Sequence, residues 1–177
     1  VIAFTRKTDY ALIALASLAQ EAAAQGEGTP EAAPQSARAI AQRYSVPLPI
    51  LMNVLKDLTG ASLVRSTRGV RGGYALARPP RHITVHDVVE AIEGKPSLAI
   101  CCDDGTAEAD ACPECGVELR CPVTHSVRRL NERINRFLHE VTLADLLEGG
   151  RGASSVVPVT TLRRSIERSP RSAGGSR

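Results

Sequence analysis

Two groups of residues in this chain have the types and spacing to do chemistry. The first is Cys101, Cys102, Cys112, Cys115 and Cys121, which are all five cysteines of the 177 residues. Thiolates ligate iron–sulfur clusters and zinc, and both Cys112-x2-Cys115 and Cys115-x5-Cys121 are workable ligand spacings. Cysteines clustered in a cytosolic chain point to metal or redox chemistry rather than to structural disulfides. Inert cysteines would instead scatter through a core. Spacing alone leaves a cluster, a zinc site and a redox thiol pair all open. The second group is Arg-Gly-Val-Arg-Gly-Gly at 68–73, a basic glycine-rich stretch whose backbone can approach a polyanion closely.

Charge is segregated along the chain. From Ser36 to Arg81 there are eight basic residues (Arg38, Arg43, Lys56, Arg65, Arg68, Arg71, Arg78, Arg81) and one acid, Asp57, giving net +7, although the whole chain is only +3. From Cys101 to Glu118 there are six acids and no base, and from Arg151 onward six arginines and one glutamate. The basic segment suits DNA. Six acids around the thiols disfavour adding an electron, so a cluster held there would have a low reduction potential. Aromatic residues make up only 3%, too few for a surface on which single-stranded bases stack. No apolar run reaches the roughly 20 residues of a bilayer span. The first residues lack a signal-peptide pattern, so the expected location is cytoplasmic, with no membrane partner.

These groups must be positioned by helices and one hairpin. Thr5 to about Ala24 reads as a helix with Ala11, Leu12, Leu15, Ala16, Leu18 and Ala19 on its apolar face. Residues 25–34 read as a loop. Ser36 is an N-cap for a short helix over 37–43. After a turn at 44–46, Pro47 and Pro49 open a second helix with an apolar set of Ile50, Leu51, Val54, Leu55 and Leu58, ended by Gly60. That order is a helix-turn-helix. Strands at 63–67 and 74–77 flanking the basic turn make a hairpin, in the place of a wing. Thr84 caps a helix over 85–92. A long helix over 122–141 carries Val123, Val127, Leu130, Ile134, Phe137 and Val141 at alternating steps of 4 and 3, a heptad seam. Thr142 caps a last helix over 143–147, and the composition beyond Gly149 predicts disorder. The fold class is mainly α with a small β-hairpin. The expected divisions are a winged helix-turn-helix over 4–93, a cysteine-rich loop over 94–121, dimerisation and closing helices over 122–148, and a basic tail over 149–177.

A recognition helix enters the major groove by its N-terminal turn. Here that turn holds Pro47, Leu48 and Pro49, which offer no side-chain hydrogen bonds, so polar reading falls to Asn53, Lys56 or Asp57. Arg68 and Arg71 on the wing suit the minor groove, with Arg65, Ser66 and Thr67 on phosphates and Ser36 at a helix start. The bland alternative for the hexapeptide is a solvated hairpin tip. Its position directly after a helix-turn-helix, inside the basic segment, favours DNA. His82 and His86 read as surface residues beside the wing, and His139 as a solvated position on the long helix.

Several stretches carry a resemblance: Thr-Asp-Tyr-Ala-Leu at 8–12, Ser-Ala-Arg-Ala-Ile-Ala at 36–41, residues 46–55, and Leu-Val-Arg-Ser-Thr-Arg-Gly-Val-Arg-Gly-Gly-Tyr-Ala-Leu-Ala at 63–77. With Thr-Leu-Ala-Asp-Leu-Leu at 142–147, they make residues 4–148 similar to the IscR/NsrR family of bacterial regulators (the Rrf-two family). The resemblance implies a homodimer in which a long helix crosses between subunits, hence a roughly palindromic double-stranded operator. It implies that Arg68 is the arginine of the wing that enters the minor groove. It also implies three cysteine ligands in the loop, with Cys115 and Cys121 matching the last pair and Cys101 the first; Cys102 and Cys112 are alternates. Family members complete the set with a His after the last Cys or with an acid on the first helix of the partner. Thr124 stands where that His would be, so the fourth ligand is His125, one residue on, or Asp9, unless a fourth cysteine, Cys112 or Cys102, removes the need for either. Asp9 has an equally good explanation as a charge favoured at a helix N-terminus.

The expected function is a non-enzymatic, dimeric transcription regulator whose DNA affinity is set by an iron–sulfur cluster, [2Fe–2S] in preference to [4Fe–4S], sensing cluster status, redox or nitric oxide. The alternatives are a regulator of the same fold that senses through zinc or redox thiols, a thiol oxidoreductase built on Cys112-x2-Cys115, and a purely structural dimerisation module. The oxidoreductase lacks a helix start after a strand to stabilise its thiolate, and the basic wing argues against the structural module.

Overall fold

A computed structural model describes residues 4–24, 33–69, 72–99 and 121–149 of the chain. The predicted basic tail, most of the 25–34 loop and Cys101, Cys102, Cys112 and Cys115 lie outside the described residues. The elements run α1 (Arg6–Ala24), α2 (Ala37–Tyr44), α3 (Leu48–Gly60), β1 (Val64–Thr67), β2 (Gly73–Leu76), a 3-10 turn (Pro80–His82), α4 (Val85–Glu93), α5 (Thr124–Glu140) and α6 (Leu143–Leu147). Each predicted element is present within a residue or two, and the fold is mainly helical with one two-stranded antiparallel hairpin.

Local chemistry fixes the helix starts. Ser36 accepts a hydrogen bond from the Ala39 N–H at 3.1 Å. Thr84 and Thr142 each form a capping box, with Asp87 and Asp145 returning a bond to the cap backbone. These two capped starts also pair with each other. The Val85 N–H donates to the Val141 carbonyl at 2.9 Å and the Leu143 N–H to Ile83 at 2.8 Å, so the α5–α6 corner is tied to the start of α4.

The main core is built from Leu15 and Leu18 of α1, Ile40 of α2, Leu51, Val54, Leu55 and Leu58 of α3, and Leu63, Ile83 and Val88. α1 buries Thr8, Ala14 and Ser17, while Leu12 and Ala16, expected on that face, are half-buried. Small side chains there let α1 pack closely on α3 and α4. Ile50 departs from expectation more sharply. Read as part of the apolar set of α3, it lies on the outer face at 39% exposure. Its core-facing place is taken by the four residues that follow the i, i+3, i+4, i+7 pattern from Leu51.

A second, smaller cluster joins α4 to α5 through Val85, Val89 and Leu138, with Ile134 and Val141 packed against it. The predicted heptad seam divides here. Val127, Ile134 and Val141 are half-buried, and the adjoining line Thr124, Asn131 and Leu138 is buried in the chain's own domain. Val123, Leu130 and Phe137 stay outside at 52%, 50% and 57% exposure.

His86 corrects the sequence reading. It is buried at the α4–α5 contact, 9% exposed, because its ring stacks on His139 with centroids 3.7 Å apart. Its Nδ1 makes no hydrogen bond and lies 3.8 Å from Glu90 Oε2. His139 is exposed, as read, but one face of its ring covers His86; His82 is exposed. Burial, then His139, lower the His86 pKa below 6.5, and Glu90 and Asp87 only partly oppose this. The unfolded chain therefore binds the proton more readily than the folded one. This contribution to stability is complete above about pH 6.5 and is lost as pH falls from there through the lower folded value. Denaturant unfolding should show stability falling below pH 6.5, and His86→Phe, which keeps a stacking ring without the titration, should flatten that fall. An unchanged pH profile in the variant would remove His86 as its cause.

Candidate functional site

The helix-turn-helix is closed by backbone geometry. Ser45 takes a left-handed conformation, φ 54°, and the Val46 N–H donates to the Ala41 carbonyl at 3.0 Å. Val46 is buried and plugs the corner between the helices. Pro47 supplies no capping side chain to α3. Pro47, Pro49, Asn53 and Lys56 are exposed along the outer face of α3, together with Ile50, Met52 and Asp57. Leu48 is half-buried against the main core, so it anchors the helix start rather than facing outward. Ser36 is exposed, with its hydroxyl engaged as a helix cap.

The wing pairs Val64 with Leu76, Arg65 with Ala75, Ser66 with Tyr74 and Thr67 with Gly73. Arg65, Ser66, Thr67 and Arg68 are all exposed; Arg71 lies outside the described residues. The glycines of the motif answer to close approach. A Cβ on Gly72 would sit 2.3 Å from the Thr67 carbonyl oxygen, and one on Gly73 2.6 Å from that of Gln35. Gln35 itself acts as a short third strand, exchanging N–H···O bonds with Tyr74 at 2.8 and 2.9 Å. Its side chain accepts from the Ser17 hydroxyl at 2.8 Å. Sequence reasoning missed this residue, since nothing local marks a Gln before a helix cap as a strand partner. Just past the end of β2 the hairpin is also tied to α4, because Arg78 meets Asp87 at 3.0 Å.

Of the predicted metal ligands, Cys121, His125 and Asp9 are described. Cys121 is half-exposed and immediately precedes α5. Its thiol is held below the usual cysteine range by the Thr124 side chain, then by backbone hydrogen bonding at Val123 and Thr124. The Thr124 hydroxyl, whose single proton can serve either acceptor, also lies 3.4 Å from the Cys121 carbonyl oxygen. Thr124, unsuited to be a ligand, thus favours the thiolate beside it. Such a donor suits a soft metal centre. His125 is exposed in the first turn of α5, and Asp9 is exposed in the first turn of α1. Among the described residues no three His, Cys, Asp or Glu side chains gather at one point. The other end of the cysteine segment is fixed as well: the Leu98 N–H donates to Oδ1 of Asn131, a buried side chain on α5, at 3.0 Å.

The family model described as Rrf2, iron-dependent transcriptional regulator, matches residues 4–149. The chain belongs to the Rrf2 family. The similarity named on motifs alone therefore holds over the whole described region. This Rrf2 chain is 34% identical over 147 residues to an HTH-type transcriptional regulator of Synechocystis, covering 80% of the chain and 85% of the relative. It is 31% identical to an rrf2-like HTH-type regulator of Rhodobacter capsulatus, covering 86% and 97%. Among solved structures it is similar to CymR, the global cysteine regulator of B. subtilis, with TM-score 0.58 and 28% identity over 84% of this chain and 98% of that one. It is also similar to T. potens IscR, with TM-score 0.57 and 31% identity over 86% and 91%. These are transcription regulators of the winged-helix type rather than enzymes, and so is this protein. No helix among the described residues is long and apolar enough to cross a membrane.

Thr124→Val should move the alkylation of Cys121 to higher pH. Peptide-resolved mass spectrometry of the reduced, metal-free chain reads this directly. An unshifted profile would show that Thr124 does not set the thiol.

Proposed function

We propose that this Rrf2 protein is a homodimer that binds a roughly palindromic double-stranded operator and whose affinity is controlled by a cysteine-ligated iron–sulfur cluster, [2Fe–2S] in preference to [4Fe–4S]. The observation that carries the DNA reading is the exposure of basic residues on two elements packed against each other. α3 packs on β1, and Lys56 on the helix and Arg65 and Arg68 on the wing all face solvent. α3 enters the major groove, and Arg68 the adjoining minor groove with Arg71 beside it; Arg65, Ser66 and Thr67 hold phosphates. The exposed line of Val123, Leu130 and Phe137 supports pairing of α5 with a second copy. The working division is reading head 4–93, cysteine loop 94–121, dimerisation and closing helices 122–148, and basic tail 149–177.

Cys101, Cys115 and Cys121 are the proposed ligands, with Cys102, Cys112, His125 or Asp9 completing the set. Two anchors support this grouping. Leu98 is held on α5 at Asn131 and Cys121 sits at the start of the same helix. Asn131 lies about 10 Å along α5 from its first residue, Thr124, which follows Cys121 by three residues, and three residues of chain span up to about 10 Å from Leu98 to Cys101. A bound cluster would supply sensitivity to oxidation, iron supply or nitric oxide.

The chain's own residues then carry the signal. Cys121 borders α5, and α5 holds α4 through Val85, Val89 and Leu138. α4 in turn holds the wing through Asp87–Arg78, and α1 through Glu93, which accepts from the Thr8 hydroxyl at 2.7 Å and from Thr5. Repositioning the start of α5 shifts the two reading heads of a dimer relative to each other. Because both must engage one operator, a small shift changes affinity strongly. A sensor using zinc or redox thiols is the second reading, favoured by the lowered Cys121 thiol, which serves disulfide chemistry equally well; metal and sulfide content separate the two.

Arg68→Ala should weaken binding about tenfold on duplexes with A/T-rich, narrow minor grooves and less on G/C-rich ones. Titrations against both kinds of duplex at one salt concentration check this. Equal affinity of variant and parent on every duplex would remove the wing from the interface.

A further inference from the structure

The outer face of α3 carries two large apolar side chains that the core does not use. Met52 is 50% exposed and Ile50 39%, although Leu51, Val54, Leu55 and Leu58 of the same helix are essentially sealed from solvent. At about 3.6 residues per turn, Met52 and Ile50 fall on the two flanks of the outer face, with Asn53 and Lys56 between them. Both sit in the first half of the helix, the half that reaches base edges when such a helix lies in the major groove. Neither can hydrogen-bond to a base or a phosphate. The major groove offers one apolar group to match them, the C5-methyl of thymine. The unbranched thioether of Met52 adapts to methyls at slightly different depths. The surrounding charge also fits a duplex rather than a protein, since Lys56 lies on the same face, Arg65 is on the strand packed beside it and Arg68 directly follows that strand.

We infer that Ile50 and Met52 are specificity-determining residues that read thymine methyl groups in each operator half-site. The inference rests on the DNA-binding reading above and adds to it the class of base that α3 selects. The polar reading assigned to Asn53 and Lys56 then takes place between two apolar contacts, so that a half-site is recognised by its thymines as well as by its hydrogen-bonding edges.

The test uses the full chain and duplexes selected by it from a random pool. The tightest duplex is remade with deoxyuridine for thymidine in the half-sites, which removes the methyls and nothing else. Affinity should fall about fourfold for each contacted methyl. Ile50→Ala with Met52→Ala should bind the thymidine duplex more weakly and no longer distinguish it from the deoxyuridine one. Both positions are exposed, so retained helicity and thermal stability are expected in the variant. Equal binding of the two duplexes by the parent chain overturns the inference, as does a double variant that still discriminates between them. Failure of the pool to yield any bound duplex would instead overturn the DNA-binding reading on which the inference rests.

Discussion

Val85 and Val89 of α4 press against Leu138 of α5, flanked by Ile134 and Val141, and this seam joins the reading head to the helix that follows the cysteine segment. It is small. Burying three such side chains contributes on the order of 5 to 9 kcal/mol, the same scale as the roughly 5.5 kcal/mol that turns a two-state equilibrium from one side to the other. The stacked His86–His139 pair lies in the same contact, so its packing is also open to protonation. Two backbone bonds between the capped starts of α4 and α6 keep the seam in register.

From that seam the connections run outward through single polar contacts. Asp87 does two things at once: it closes the capping box of Thr84 and meets Arg78 at the end of the wing. Glu93, at the other end of α4, is held as a carboxylate by Thr5 and Thr8 of α1. Gln35 fastens the wing to α1 from the opposite side through Tyr74 and Ser17. The wing is therefore held along the outer edge of β2 by Gln35 and just past the end of that strand by Arg78, and Arg65 and Arg68 project from a hairpin positioned in this way. On the outer side of α5, Val123, Leu130 and Phe137 stay exposed, the surface proposed to pair with a second copy.

Local chemistry was the most legible part of the sequence. Ser36, Thr84 and Thr142 announce helix starts because a cap depends only on its next three residues. The wing glycines announce a hairpin because a Cβ at Gly72 or Gly73 would collide with a backbone oxygen. What escaped was non-local. Gln35 pairs with a strand far along the chain, and His86 is buried by a ring from another helix. Apolar periodicity places Ile50 inward because it treats every apolar residue as core, whereas this one faces outward on the outer side of α3. The heptad reading of α5 found the helix but not its orientation, since Asn131, buried and polar, falls on the face that docks at home. For the cysteines the sequence offered the grouping and the family resemblance supplied the ligands; Cys121 with its Thr124 support is the part described in three dimensions.

The central claim is that occupancy of the cysteine site changes the grip on DNA. The most direct measurement is the affinity of one selected duplex for protein purified without oxygen, before and after its metal is stripped, with iron and acid-labile sulfide counted in both samples. Iron and sulfide should be found in the first sample, and the affinity should change by about tenfold or more when they are removed. Equal affinities, or a chain that holds neither iron nor sulfide even after reconstitution, would contradict it.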